Sequence, residues 1–241
     1  MTLVVTGASS DVGAALIGRV ADNYDTIICH YRSSTAIIES LQTKFGDKVI
    51  PVQADFSDLK STERFVETAL AQGGDISHMV HLSSSSSSSV NKKFSKTLWT
   101  QFETEIDITF RSAVMCCQAF IPPMVKAGYG KVVMMLSSQM VWEPAKPYST
   151  AYTCTKHALH GLVKSLAAEY AAKGVTVNGV SPSMIDTKFL RVPDIVKEVN
   201  ISNSPIKRLL TVDDVVPAFE FLLSSGADTV TGQNIAVTAG N

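Results

Sequence analysis

Seven short runs of apolar and β-branched residues recur along the chain, and this rhythm constrains the fold more than any other feature. They are LVVT at 3–6, TIICH at 26–30, VIPVQ at 49–53, HMVHL at 78–82, KVVMML at 131–136, VTVNGV at 175–180 and NIAVT at 234–238. Continuous apolar runs of this length suit strands buried on both faces. Segments with helical spacing lie between them, at 14–21, 35–45, 61–71, 98–127, 152–172 and 212–223. Strand then helix, repeated six times, predicts an α/β fold: a doubly wound, parallel, seven-stranded sheet with helices on both faces, because parallel neighbours need crossover connections. The 241 residues then form one domain, and 45% hydrophobic against 18% charged residues supplies a core and excludes disorder.

A formal net charge of -1 with no basic surplus excludes nucleic acid as the main partner. Cys29, Cys116, Cys117 and Cys154 show neither CxxC spacing nor a disulfide framework, which fits a reducing cytoplasm. No metal-ligand spacing stands out. The opening MTLVVTGAS lacks the basic and apolar regions of a secretory signal, and no apolar run approaches the roughly 20 residues of a membrane span, so a soluble, cytoplasmic protein is expected.

Seven consecutive serines, Ser83 to Ser89, interrupt this pattern. As an interdomain linker they would leave a half-sheet of four strands on one side, unable to close its own core. A loop at the carboxyl edge of the sheet is the better reading, with the later serines, Ser86 to Ser89, a mobile rim of the site.

Ligands of open α/β sheets bind beyond the carboxyl ends of the strands, where the strand order reverses. The first such end reads VVTGASSDVGAAL, in which Gly7 and Gly13 would let backbone N–H groups approach a pyrophosphate at a helix N-terminus. An ordinary strand-to-helix turn would use the same residues. The second run ends CHYRSS with no acidic residue for a ribose hydroxyl. Arg32 and Ser33 there suit a 2'-phosphate, favouring NADP(H) over NAD(H), and a solvated surface arginine is the alternative.

Tyr152 and Lys156 lie four apart and project from one helix face. An ammonium beside a phenol favours phenolate, which would tune the tyrosine for proton transfer. Taken alone, the spacing is common on helices.

Six segments together carry a resemblance. TGASSDVG at 6–13, ADFSD at 54–58, LSS at 136–138, YTCTK at 152–156, VNGVSPSMIDT at 177–187 and TGQNIAVTAG at 231–240 resemble, in order and spacing, the short-chain dehydrogenase/reductases, and most of all the 3-oxoacyl-acyl-carrier-protein reductase type. The resemblance covers essentially the whole chain.

It implies Tyr152 as general acid/base, Lys156 as the group that lowers its pKa and holds the nicotinamide ribose, and Ser138 as the hydrogen-bond partner of the substrate carbonyl. The NADP(H) site it implies begins with Gly7, Ser9, Ser10, Asp11, Val12 and Gly13 after the first strand. Tyr31, Arg32 and Ser33 follow the second, and Ala54, Asp55 and Phe56 the third. Asp55 would contact adenine, or else cap the next helix. Ser83 and Ser84 would lie beside the adenosine ribose and pyrophosphate, and Pro182, Ile185 and Thr187 beside the nicotinamide end. The substrate is then a small ketone or an acyl thioester, with an acyl carrier protein as a further partner, and the assembly a homotetramer or homodimer formed through the long helices.

Residues 188–208 would form a substrate lid. Its Lys188, Arg191, Lys197, Lys207 and Arg208 would meet an acidic carrier or simply be solvated, the second being the plainer expectation. Its Phe189, Leu190, Val192 and Ile195 would line an acyl pocket or fold over the core.

Three departures from the family pattern stand out. Asp11 replaces a glycine, and a carboxylate about 5 Å from a pyrophosphate would cost on the order of 3 kcal/mol; turned outward as the N-cap of the first helix it would avoid that cost. Thr109 stands where a tetrad asparagine holds a water near the lysine. His81, Leu82, Ser83 and Ser84 replace Asn-Asn-Ala-Gly. These departures would suit a non-catalytic member that keeps the fold and binds a partner, whereas Ser138, Tyr152 and Lys156 point to a working enzyme.

Overall fold

The computed structural model describes residues 1–85, 92–141, 147–188, 190 and 192–240. The strands are β1 (Thr2–Thr6), β2 (Thr26–Tyr31), β3 (Val49–Gln53), β4 (Ile76–His81), β5 (Gly130–Met135), β6 (Val175–Pro182) and β7 (Asn234–Val237). All pair in parallel, in the order β3-β2-β1-β4-β5-β6-β7. The order reverses between β1 and β4, and the carboxyl ends of those two strands therefore flank the crevice in which such sheets hold ligands.

The helices are α1 (Asp11–Val20), α2 (Thr35–Phe45), α3 (Leu59–Gly73), α4 (Trp99–Glu105), α5 (Ser112–Ala127), α6 (Thr150–Tyr170), α7 (Asp194–Asn203) and α8 (Val212–Leu223). Alternation along each strand feeds two cores. Leu3 and Val5 of β1 join Leu16 and Ile17 of α1 and Val216 and Phe219 of α8 on one face. Val4 joins Phe65 of α3, Phe120 of α5 and Leu159 of α6 on the other. β5 continues the same sheet beside β4, so the serine run is a loop within one domain. Ser86 to Ser89 lie outside the described residues.

The segment expected as one helix over 98–127 is divided. A π-turn, Ile106–Arg111, separates α4 from α5. Such a bulge spreads the backbone by one residue and commonly marks a functional position. Trp99–Ala127 is long and apolar enough, by length and composition, to cross a membrane, which corrects the expectation that no such run exists. Here it packs against the sheet, with Cys116, Phe120 and Met124 fully buried. Within the lid region the structure adds α7, which has no buried residue and no strong periodicity to announce it.

Candidate functional site

A cavity of about 400 Å³ opens at the carboxyl edge, between the ends of β1, β4, β5 and β6 and the segment 182–200. The phosphate end is built by glycine geometry and one serine. Gly7 holds φ +68°, and a side chain on Gly13 would sit 2.6 Å from the Gly7 carbonyl oxygen. Ser10 is the N-cap of α1: its hydroxyl donates to Gly7 O at 2.8 Å and accepts from Gly13 N at 3.0 Å. The N–H groups of Asp11 and Val12 stay at the open N-terminal end of α1, on the cavity wall. Ser85 adds a buried hydroxyl with no partner among the described residues on the same wall. Two unsatisfied helix amides and an orphaned hydroxyl beside a glycine turn fit the pyrophosphate of a dinucleotide.

Asp11 corrects an expectation. It is the first residue of α1 rather than its cap, and its Oδ2 accepts from Lys188 N at 2.7 Å. The carboxylate does turn outward, to the start of the segment 188–208, and so fastens that segment to the phosphate turn. Asp55 caps no helix either: its Oδ1 accepts from Ser57 N and Ser57 Oγ, while Asp58 caps α3. The exposed Arg32, just beyond β2, lies near enough to Asp55 to hold that carboxyl below its usual range, together with the Ser57 bonds. Burial opposes this shift as the largest single influence. Tyr31, Ser33, Ala54 and Phe56 cluster on the same edge, with Ser9 beside the phosphate turn.

Two histidines tie these strand ends together: His30, which sequence reasoning missed, and His81, which it noted only as a departure from the family pattern. His30 Nδ1 accepts from Gly7 N at 3.0 Å and lies 3.4 Å from Ser83 Oγ, and its Nε2 donates to Ala54 O at 3.1 Å. The ring stacks on Phe56 with centroids 3.9 Å apart. One neutral imidazole thus joins the ends of β1, β3 and β4. His81 joins β1 to the π-turn: it meets Thr6 Oγ1 through Nδ1 and Thr109 O through Nε2. Burial pushes the two imidazoles down to about 4 and about 3. The signal for His30 in the sequence was its position at the end of β2; His81 also departs from the family pattern at the end of β4.

Lys156 is 2% exposed and donates to Met135 O at 2.8 Å, with its Nζ 5.6 Å from the centre of the Tyr152 ring. Burial lowers its pKa to about 8, against an upward pull from Glu105. Tyr152 departs from expectation. Burial raises its pKa, the nearby Ser137 hydroxyl works the other way, and Glu105 adds to the rise. The buried Glu105, at the end of α4, carried no sequence signal.

Both Ser137 and Ser138 line the cavity, and Ser137 lies near enough to the phenol to influence its pKa. Thr109 is fully buried, and its Oγ1 has no partner among the described residues. Pro182, Ile185 and Thr187 form the wall after β6, fixed by backbone bonds from Asp186 N to Leu210 O and from Leu210 N to Met184 O.

In the segment 188–208, Leu190, Val192 and Val196 face the cavity, whereas Ile195 is 64% exposed. Arg208 is committed to Asp214 within the chain, and Lys207 to Ser202 O. Phe189 and Arg191 lie outside the described residues. Among the described residues no group of three or more His, Cys, Asp or Glu is placed to hold a metal.

A doubly wound parallel sheet with a glycine phosphate turn at its switch point and a Tyr–Lys pair on the cavity beside it defines a nicotinamide-dependent oxidoreductase. The chain belongs to the short-chain dehydrogenase/reductase family. The family model that matches, over residues 7–241, is described as enoyl-(acyl carrier protein) reductase. Among its relatives, 3-oxoacyl-[acyl-carrier-protein] reductase of Staphylococcus aureus is 26% identical over 98% of this chain and 96% of its own. 2-(R)-Hydroxypropyl-CoM dehydrogenase of Xanthobacter autotrophicus is 30% identical over 95% and 93%. The solved structure of ElxO with NADP bound shares the fold, with a TM-score of 0.87, 23% identity and coverage of 99% and 97%.

Proposed function

We propose that the protein reduces a ketone or a 3-oxoacyl thioester to the hydroxy compound with NADPH. The observation that carries this reading is the placement of Tyr152 on the cavity wall beside Ser137 and Ser138, with Lys156 Nζ 5.6 Å from the centre of its ring. A protonated phenol in that place can donate to a carbonyl oxygen, which is the role reduction requires.

When bound, the nicotinamide supplies the hydride that reaches the carbonyl carbon. Tyr152 delivers its proton to the carbonyl oxygen as negative charge develops there, and Ser137 donates a second hydrogen bond to the same atom. Lys156 sits behind Tyr152 and stabilises the phenolate left behind. The buried hydroxyl of Thr109 holds a water for reprotonation. Gly7, Ser9, Ser10, Val12 and Gly13 would cradle the pyrophosphate, Ser83 and Ser84 the adenosine ribose, and Pro182, Ile185 and Thr187 the nicotinamide end. Arg32 would meet the 2'-phosphate, a choice supported by the lack of an acidic residue at the end of β2.

Residues 188–208 serve as the lid, with Leu190, Val192 and Val196 along the acyl chain. The substrate is free or carried on an acyl carrier protein, and the protein is a cytoplasmic homodimer or homotetramer.

The test follows NADPH oxidation by absorbance with an acetoacetyl thioester and a panel of small ketones. Wild type turns over, and Tyr152→Phe loses about 100-fold or more. Ser137→Ala costs more than Ser138→Ala, and Arg32→Ala weakens NADPH more than NADH. Equal inactivity of wild type and Tyr152→Phe across the panel, with NADPH still bound, would leave the non-catalytic reading in its place.

A further inference from the structure

We infer that Gln139 reads a second carbonyl oxygen of the substrate, one methylene away from the carbonyl that is reduced. This rests on the reductase reading and narrows it to 1,3-dicarbonyl substrates.

Gln139 lies two residues beyond Ser137 and lines the cavity next to Ser137 and Tyr152. Its backbone N–H donates to Ser137 Oγ at 3.3 Å, so its main chain is tied to the hydroxyl that meets the reacting oxygen. Its side-chain Oε1 accepts from Ser149 Oγ at 2.9 Å and from Thr153 Oγ1 at 2.5 Å. Ser149 is the N-cap of α6, and Thr153 adjoins Tyr152 on that helix. An amide oxygen has two lone pairs, and both are taken by these hydroxyls. What remains for a ligand is the NH₂ group, which has no hydrogen-bond partner among the described residues and can only donate. A donor fixed in this way selects an acceptor on the substrate.

The rest of the wall supports the assignment. The segment 182–200 brings Met184, Leu190, Val192 and Val196 to the same cavity. A substrate held there would place its reacting carbonyl at Ser137 and Tyr152, its second carbonyl at Gln139 and its aliphatic part along the segment 188–208. A monoketone would cover the amide donors without pairing them. Sites built to hydrogen-bond a polar group discriminate strongly against analogues that lack it, because the buried donor is left unsatisfied.

The experiment compares wild type, Gln139→Leu and Gln139→Glu with an acetoacetyl thioester and with 2-pentanone. Glutamate keeps the acceptor for Ser149 and Thr153 and loses the donors, so it preserves the contact with α6 if leucine disturbs it. Both variants are expected to raise KM for the thioester about ten-fold with little change in kcat, and to lower the ratio of kcat/KM for thioester over monoketone by about the same factor. Equal losses on both substrates would mean that Gln139 only braces α6 and would overturn the inference, as would no loss at all. If wild type reduces none of the compounds while NADPH binds, the reductase reading fails first and the inference falls with it.

Discussion

Thr6 Oγ1 lies 2.9 Å from His81 Nδ1, and its surroundings fix the direction of that hydrogen bond. The N–H groups of Leu82 and Ser83 both donate to the same hydroxyl oxygen, at 3.2 and 3.3 Å. The Thr6 proton must therefore go to Nδ1, which leaves the ring proton on Nε2 to donate to Thr109 O. The residues that depart from the family pattern at 81 and 109 are thus partners in one bridge between β1, β4 and the π-turn.

Replacing His81 by leucine removes both ends of that bridge and leaves a buried carbonyl and a buried hydroxyl short of a partner. Stability should fall by about 2–4 kcal/mol, read as a lower denaturant midpoint at pH 7. A midpoint within error of wild type would show that the bridge carries no weight.

His30, His78 and His81 are all buried, and burial holds them at about 4, about 4 and about 3, below the unfolded value of 6.5. Below pH 6.5 the unfolded chain takes up protons that the folded chain refuses, so stability drops as pH falls from 6.5 towards 4. The loss should reach roughly 1–2 kcal/mol per imidazole by pH 5. Urea melts at pH 7 and pH 5 measure it, and a pH-independent midpoint contradicts it.

Glu105 raises the pKa of both Tyr152 and Lys156. Glu105→Gln should lower both, moving the alkaline limb of the reduction rate to lower pH by about half a unit to one unit. In the oxidation direction, where Tyr152 must act as a base, the same substitution should bring the rise in rate to lower pH. Profiles in both directions with no displacement would remove Glu105 from the electrostatics of the site.

Asp11→Asn keeps an oxygen for Lys188 N and removes the charge beside the phosphate turn. NADPH should bind about ten-fold more tightly, by fluorescence titration, with the effect shrinking at high salt. Asp11→Ala, which also loses the bond to Lys188, should raise KM for the ketone relative to Asp11→Asn. Identical behaviour of the two variants would argue against a role for that bond.

The amino-acid sequence by itself determined the sheet, because strand and helix periodicity are local and the strand-helix unit repeats six times within one chain. It also placed the phosphate turn and the Tyr152–Lys156 face, since Gly7 with Gly13 and Tyr152 with Lys156 each fall within a few residues. Only the tertiary structure decided how the altered residues work. His30 and His81 act through partners 23 to 75 positions away, Asp11 through Lys188 at 177, and no local pattern records such bonds. The rise in the Tyr152 pKa came from burial and from Glu105, which folding alone brings to the site. Periodicity sets which faces are apolar; charge and hydrogen bonding at a site depend on distances that exist only after the chain has closed on itself.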